Sequence, residues 1–363
     1  MVHQVPVAGL IALHLEQRDV HGATVAACTR AAQPGWVDRW RAYGEASGVP
    51  SVRVLRRSDV QAALPMTSCI DAVEAAFIAY HAGRAELPGV IHLDVPEAKG
   101  EIHVKAGHLH GAPSYAVKVA SGFYGADAAA NDGMVAVFDA RDGGLRALLL
   151  DGGWLTDQRT GAAGGVAARW LAPEHVDVVA VIGTGAQARK QVEALRVVRP
   201  ALGEIRVWGR DAAEAASAAR DVGGRAATSV EEAVRGADVI ITCTAAREPL
   251  VRAGWVAPGA LVVAVGSDGA GKQELDPELL RLADVLVVDS RDQCLRLGEL
   301  QHAHEQALRA VELGAICAGV APGRTSPSQL VVCDLTGVGV QDVAAANAVL
   351  ANAPAGAGET LSL

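Results

Sequence analysis

The chain has 363 residues, 50% of them hydrophobic and 20% charged, with a formal net charge of −9. That length suggests about two domains, and the apolar fraction excludes a disordered chain. The acidic balance without a basic run argues against nucleic-acid binding, the lack of any apolar stretch approaching ~18 residues argues against a membrane span, and the lack of a basic start followed by an apolar run leads us to expect a cytoplasmic protein.

Residues 1–50 are punctuated by Gly22, Pro34, Gly35, Gly44, Gly48 and Pro50 and read as an N-terminal extension of unknown role. From Val52 the signals sharpen. Ser68 followed by Asp71 is a capping pattern ahead of the stripe Ile70, Val73, Phe77 and Tyr80, with Gly83 as the stop, which predicts a helix packed on a core. Between Val90 and Leu150 the period changes to two. Ile102, Val104 and Ala106 alternate with His103, Lys105 and Gly107, strand character continues through Ala116–Val119, and Met134–Ala140 and Leu145–Leu150 flank the turn Arg141-Asp142-Gly143-Gly144. This region reads as a mostly antiparallel sheet with a helix against it.

After Trp170 strands and helices alternate. Apolar runs stand at Val178–Ile182, Ile205–Trp208, Val239–Thr242, Leu261–Val265 and Val285–Val288, with helical segments such as Ala212–Arg220 and Ser229–Arg235 between them. Continuous apolar strands separated by helices imply a parallel sheet covered on both faces. Gly298–Gly314 then reads as helical, Val331–Asp334 as a further strand and Gln341–Leu350 as a last helix. The expected fold class is α/β, a Rossmann-type parallel-sheet domain over 170–325 and an α+β domain with a mostly antiparallel sheet over 51–169 plus 326–363. The six cysteines, Cys28, Cys69, Cys243, Cys294, Cys317 and Cys333, form no C-x-x-C pair and read as small core residues, with no metal site expected.

The run Val178–Ala188 is a strand entering Gly183-Thr184-Gly185-Ala186-Gln187-Ala188 and then a helix, the alanine-ended form of a dinucleotide-binding turn. Gly183 permits the tight turn and Gly185 lets the backbone approach a pyrophosphate. The small Ala188 lets helix and strand pack closely, and the helix N-terminus offers free N–H groups to phosphate. The second strand ends Trp208-Gly209-Arg210-Asp211. An arginine at that point pairs with a 2′-phosphate, whereas an acidic residue there holds ribose hydroxyls. Arg210 therefore favours NADP, and Asp211, one step late, keeps NAD open. The expected cofactor contacts are Gly183, Thr184, Gly185, Ala186, Gln187 and Arg210, with Thr242, Val265 and Gly266 at later strand ends.

Four stretches then carry a resemblance to the ornithine cyclodeaminase/μ-crystallin family over roughly Val52–Leu350: Tyr115–Phe123, Leu155–Ala163, Val265–Leu275 and Asp334–Asp342. The resemblance implies that Lys118 is the active-site lysine, which holds a substrate carboxylate and stabilises charge. It implies that Arg159 is the carboxylate-clamping arginine and that Asp268 is the acidic residue that takes a proton from the substrate amine or holds a second amine during cyclisation. Two departures stand out. Leu87–His92 has no arginine where many relatives have a second carboxylate ligand, and Lys105 is the candidate substitute. The loop Tyr124–Asn131 is short and alanine-rich, which points away from ornithine itself. The implied activity is an NAD(P)-dependent enzyme acting on a small amino or imino acid, in the cyclodeaminase manner with the cofactor recycled in place. The alternatives are a single-step ketimine reductase or amino acid dehydrogenase, and a crystallin-like protein that binds nucleotide and ligand with little turnover. A homodimer through the antiparallel sheet is also implied.

Overall fold

A computed structural model describes residues 51–123 and 130–362. The expected N-terminal extension, with Cys28, and Tyr124–Ala129 of the alanine-rich loop lie outside the described residues. Strand β1 (Ser51–Arg56) leads through the short α1 (Arg57–Ala63) into α2 (Met66–His81). Helix α2 buries Ile70, Val73 and Phe77, as their spacing demands. It starts at Met66 rather than behind Ser68. Pro65 stands at its N-cap with φ −61, a value its ring imposes and a helix start accepts.

Next come β2 (Ala85–Glu86), β3 (Ile91–Val95), β4 (Gly100–Leu109), β5 (Ser114–Phe123), β6 (Ala130–Asp139) and β7 (Leu145–Leu150). Strands β3 to β7 pair antiparallel along the chain, and β7 pairs parallel with β1. The register sets Lys105 of β4 directly beside Lys118 of β5. Helix α3 (Trp154–Leu171) then leads to the second sheet.

The second sheet begins with β8 (Val176–Ile182), α4 (Ala186–Val198), β9 (Leu202–Trp208), α5 (Ala212–Asp221), β10 (Arg225–Ala226), α6 (Val230–Val234) and β11 (Val239–Thr242). The chain continues through β12 (Arg247–Val251), β13 (Leu261–Ala264), β14 (Gln273–Leu275), α7 (Pro277–Leu282), β15 (Val285–Val288) and α8 (Arg291–Leu297), with β12 and β14 paired to each other in a separate two-stranded sheet. After β16 (Val311–Glu312), α9 (Leu313–Cys317) and β17 (Val331–Asp334), the chain ends in α10 (Gly339–Asn352) and β18 (Glu359–Ser362).

This eight-stranded sheet has the order β10-β9-β8-β11-β13-β17-β15-β16. Every pair in it is parallel. The chain moves outward from β8 to β10 and returns to β11 on the other side of β8. The carboxyl ends of β8 and β11 therefore form a switch point, where open α/β sheets bind ligands. Strands β11, β13 and β17 are buried at every residue, because helices cover both faces.

Two expectations need correction. Val331–Asp334 was expected with the C-terminal part beyond 325, yet β17 lies inside the parallel sheet between β13 and β15. The chain leaves that sheet only afterwards. Helix α10 packs on α2, α3, β4 and β5, and β18 pairs antiparallel with β1. Gly298–Gly314 is not one helix: 3-10 turns at Glu299–His302 and His304–Gln306 are followed by β16. Buried carboxylates divert this backbone. Glu299 accepts from the N–H groups of Glu274 (2.7 Å) and Leu275 (3.2 Å), and Asp334 accepts from that of Leu300 (3.0 Å).

Among the described residues Cys69, Cys243, Cys294, Cys317 and Cys333 are free thiols, and all but the half-buried Cys243 are buried, as small core residues would be. No single helix among the described residues is long and apolar enough to cross a membrane.

Candidate active site

A cavity of about 370 Å³ lies between the β4–β5 face of the first sheet and the carboxyl ends of β8, β11 and β13. Its walls include Lys105, Lys118 and Arg159 on one side and Gly185, Ala186, Gln187, Val265 and Gly266 on the other, with Asp268 in the segment after β13. These residues come from segments far apart in sequence.

The first wall is made of charged side chains. Lys105, Lys118 and Arg159 are only 5%, 2% and 4% exposed. Lys105 Nζ donates to the carbonyls of Gly337 (2.7 Å) and Thr336 (3.3 Å), in the segment between β17 and α10. Asp342, in the first turn of α10, joins the other two. Its Oδ2 lies 3.1 Å from Lys118 Nζ, and its Oδ1 accepts from Arg159 Nε at 2.8 Å. Gln341 Oε1 accepts from Arg159 Nη1 at 2.7 Å. The guanidinium is thus oriented by two residues of one helix turn.

Burial, reinforced by the like charge of Arg159 and opposed by Asp342, pushes Lys118 down to about 7. Burial and Arg159 also lower Lys105. Burial works against the charge of Asp342, but Arg159, Lys118 and Lys105 outweigh it and hold its carboxyl below the usual range. One fixed carboxylate therefore faces a surplus of cations, an environment suited to a further carboxylate arriving as ligand.

Asp268 follows β13 and faces the same cavity. Burial opposes its charge, yet Lys272 and Lys105 hold its carboxyl below the usual range. Lys272 Nζ lies 2.8 Å from Asp268 Oδ1 and 3.5 Å from Glu101 Oε1 on β4, so it links the segment after β13 to the first sheet beside the cavity.

The second wall is made of backbone. Gly183 has φ +134, and a Cβ there would come within 2.7 Å of Cys243 Sγ and 2.8 Å of Cys243 O, so no side chain fits. At Gly185 a Cβ would meet nothing within 4 Å. The space is open, and glycine leaves it free for a ligand. Helix α4 starts there with no side-chain cap, so its first N–H groups and the positive end of its dipole face the cavity. Arg189 Nη1 braces the turn by donating to Thr184 O at 2.7 Å. Gln187 Nε2 donates to Asp157 Oδ1 at 3.1 Å, fixing α4 against the start of α3. This cradle fits the pyrophosphate of a dinucleotide.

Of the residues expected at the cofactor, Gly183, Thr184, Arg210 and Thr242 do not line the cavity. Gly183 and Thr184 shape the turn behind it. Thr242 is fully buried, and its hydroxyl donates to Glu274 Oε2 at 2.8 Å, away from the cavity. Arg210 is exposed beyond β9, while Asp211 caps α5 by accepting from the N–H groups of Ala213 (2.8 Å) and Glu214 (2.9 Å).

Asp342, Lys272 and Glu274 join the site without an expectation from the sequence. All three lie inside the family-like stretches. A carboxylate in the first turn of a predicted helix (Asp342), or one between apolar residues at a strand (Glu274), was the available signal.

The ornithine cyclodeaminase/mu-crystallin family matches residues 51–357. A protein of Rhizobium meliloti (strain 1021), classed by name as a dehydrogenase, is 40% identical over 319 residues, covering 84% of this chain and 96% of its own length. Among solved structures, an archaeal alanine dehydrogenase dimer with bound NAD superposes with a TM-score of 0.78 at 32% identity, covering 86% of this chain and 99% of that one. The Δ1-pyrroline-2-carboxylate reductase of Thermococcus litoralis, in complex with NADH and L-proline, superposes with a TM-score of 0.77 at 30% identity, covering 85% and 99%.

Proposed function

The chain belongs to the ornithine cyclodeaminase/mu-crystallin family, and from that premise we propose that it is a nicotinamide-nucleotide-dependent enzyme that interconverts a small amino acid and its imino acid. The observation that carries this reading is the pairing of the two walls: buried Lys105, Lys118 and Arg159 face an uncapped helix start with open space at Gly185. The first wall takes the substrate carboxylate. Arg159, already oriented by Gln341 and Asp342, offers its planar fork, and Lys118 places a charge beside it. Asp268 gives or takes the proton at the substrate nitrogen. A nicotinamide nucleotide bound on the second wall supplies the oxidation and reduction.

Within that class the single-step reading, reductase or dehydrogenase, is favoured over cyclisation. Cyclisation needs a place for a second ammonium. Here Lys272 Nζ already lies 2.8 Å from Asp268 Oδ1, which leaves one oxygen for the reacting nitrogen and none for a second ammonium, and Lys105 adds a third cation to the substrate wall. The test is a panel of amino and imino acids with NAD(H) and NADP(H), read at the nicotinamide absorbance band and by mass spectrometry. The expected result is a stoichiometric absorbance change. Turnover of a diamino acid with catalytic nucleotide would establish the cyclodeaminase instead, and nucleotide binding without turnover of any compound the crystallin-like reading.

NADP(H) is the preferred nucleotide in this reading. Arg210 makes no hydrogen bond or ion pair to the described residues, and Asp211 is committed to capping α5. A homodimer is part of the same reading. Strand β3 is an outer strand of the first sheet, and Ile91 and Leu93 on it are 57% and 53% exposed, an apolar edge that calls for a cover. Light scattering at micromolar concentration should give twice the chain mass, and a monomer mass removes the dimer.

A further inference from the structure

Glu274 on β14 is fully buried behind the second wall and does not line the cavity. Its Oε1 accepts from the backbone N–H of Thr244 (2.6 Å) and from the Thr244 hydroxyl (2.8 Å). Its Oε2 accepts from the Thr242 hydroxyl (2.8 Å) and the backbone N–H of Gly266 (2.8 Å). Thr244 follows β11 and Gly266 follows β13, and both line the cavity. The packing leaves no slack. A Cβ on Gly266 would stand 2.1 Å from Thr244 O and 2.7 Å from Glu274 Cδ. The backbone of Glu274 is held in turn by the Glu299 carboxylate.

We propose that Glu274 is a positioning residue, which sets the backbone at Thr244 and Gly266 to the spacing a bound nucleotide requires without itself touching the nucleotide. The inference rests on the reading of this cavity as a nucleotide site. Its chemistry is specific to a carboxylate. The two backbone N–H groups cannot reverse, one meets each oxygen, and each oxygen also takes a hydroxyl. Only the ionised acid accepts all of these at once. A glutamine sets an NH₂ against one of the N–H groups, and a buried clash of donors costs more than a missing bond.

Burial pushes the Glu274 carboxyl up to about 7, against the hydrogen bonds from Thr242, Thr244 and Gly266. The titratable groups that interact with it are Glu299, from the 3-10 turn after α8, and Cys243, at the end of β11; Asp334 of β17 acts on Glu299 in turn. Protonation near neutral pH therefore loosens the same two loops that a nucleotide contacts.

The test compares the wild-type chain, Glu274→Gln and Thr242→Val. Nucleotide affinity is followed by NAD(P)H fluorescence on both sides of neutrality, and kcat and the substrate KM are measured at saturating nucleotide. Glu274→Gln is expected to weaken nucleotide binding about tenfold. It should leave kcat and the substrate KM within about threefold. Wild-type affinity should fall as pH drops through about 7, whereas Glu274→Gln shows no such step. Thr242→Val removes one donor from the ionised acid without touching the cavity, so the midpoint of that step should move up.

Equal losses in kcat, substrate KM and nucleotide affinity, a Glu274→Gln profile that matches wild type, or an unmoved midpoint in Thr242→Val overturns the inference. If Glu274→Gln does not fold, the midpoint in Thr242→Val decides by itself. A wild-type chain that binds neither NAD(H) nor NADP(H) overturns the nucleotide reading and this inference together. Binding with unmoved variants overturns this inference alone.

Discussion

The two walls of the cavity are built from different materials. The wall on the first sheet is made of charged side chains, offset in part by Asp342 of α10, which reaches Lys118 and Arg159. The wall on the second sheet is made of backbone, with space left open at Gly185 and closed behind Gly183. A side-chain wall fails through uncompensated charge. A backbone wall fails through steric filling. Substitutions on the two walls should therefore separate stability, catalysis and nucleotide affinity.

The largest expected effect is on the first wall. Asp342→Ala leaves Arg159 buried beside Lys118 with no carboxylate, and breaking a buried pair from one side typically costs about 3–5 kcal/mol. Denaturant unfolding measures this, and a loss below about 1 kcal/mol would mean the cations are balanced in another way.

Next is Lys118→Ala. Removing a charge contact made in the transition state should lower kcat/KM by about 10²–10³. Lys105→Ala should lose less, because the Lys105 ammonium is directed at the carbonyls of Thr336 and Gly337. Near-normal turnover in Lys118→Ala would remove that residue from the mechanism. The same lysine sets a pH dependence. Its group sits at about 7 and is charged below that, so affinity for a carboxylate substrate should fall as pH rises through about 7. Lys118→Ala should abolish the fall, and a persistent fall would assign it to another group.

On the second wall two glycines should part company. Gly183→Ala forces an L side chain to φ +134 against Cys243 and should destabilise the fold by about 1–3 kcal/mol. Gly185→Val fills open space, so the melting temperature should hold while nucleotide binding weakens about tenfold. Loss of stability in both, or in neither, would erase the distinction between a turn glycine and a ligand-facing one.

The narrowest expected effect, confined to the choice of nucleotide, lies at Arg210. A charge-assisted hydrogen bond contributes about 1.5–3 kcal/mol, so Arg210→Ala should weaken NADP(H) by roughly 10- to 100-fold while changing NAD(H) little. An unchanged ratio in a titration of both nucleotides would leave Arg210 as a solvated surface charge.

These contrasts also explain what could be read from the chain. The βα turn at Gly183–Ala188 was legible because its requirements are local. A positive φ, a missing Cβ and a small helix residue all fall within six positions of one strand end. The apolar strands of the parallel sheet were legible for a similar reason, since burial on both faces leaves continuous runs such as Val239–Thr242. The cavity-facing positions of Lys118, Arg159 and Asp268 came through family likeness rather than through spacing, because a lone lysine on a strand carries no local mark of its partner.

Chain order alone could not place Val331–Asp334 inside the parallel sheet, because a short apolar strand records no neighbour. It could not show that Gly298–Gly314 breaks into turns, because the acceptors that divert it, Glu299 and Asp334, act through burial. Nor could it turn Thr242 away from the nucleotide and toward Glu274. By itself the sequence determined the period of the long helices and of the buried strands, the glycine turn and the family. Tertiary structure decided which carboxylate meets which cation, and which residue bridges the ends of β11 and β13. Those are long-range electrostatic and hydrogen-bond choices, settled only when segments such as β5 and α10 are brought within 3.1 Å of each other at Lys118 and Asp342.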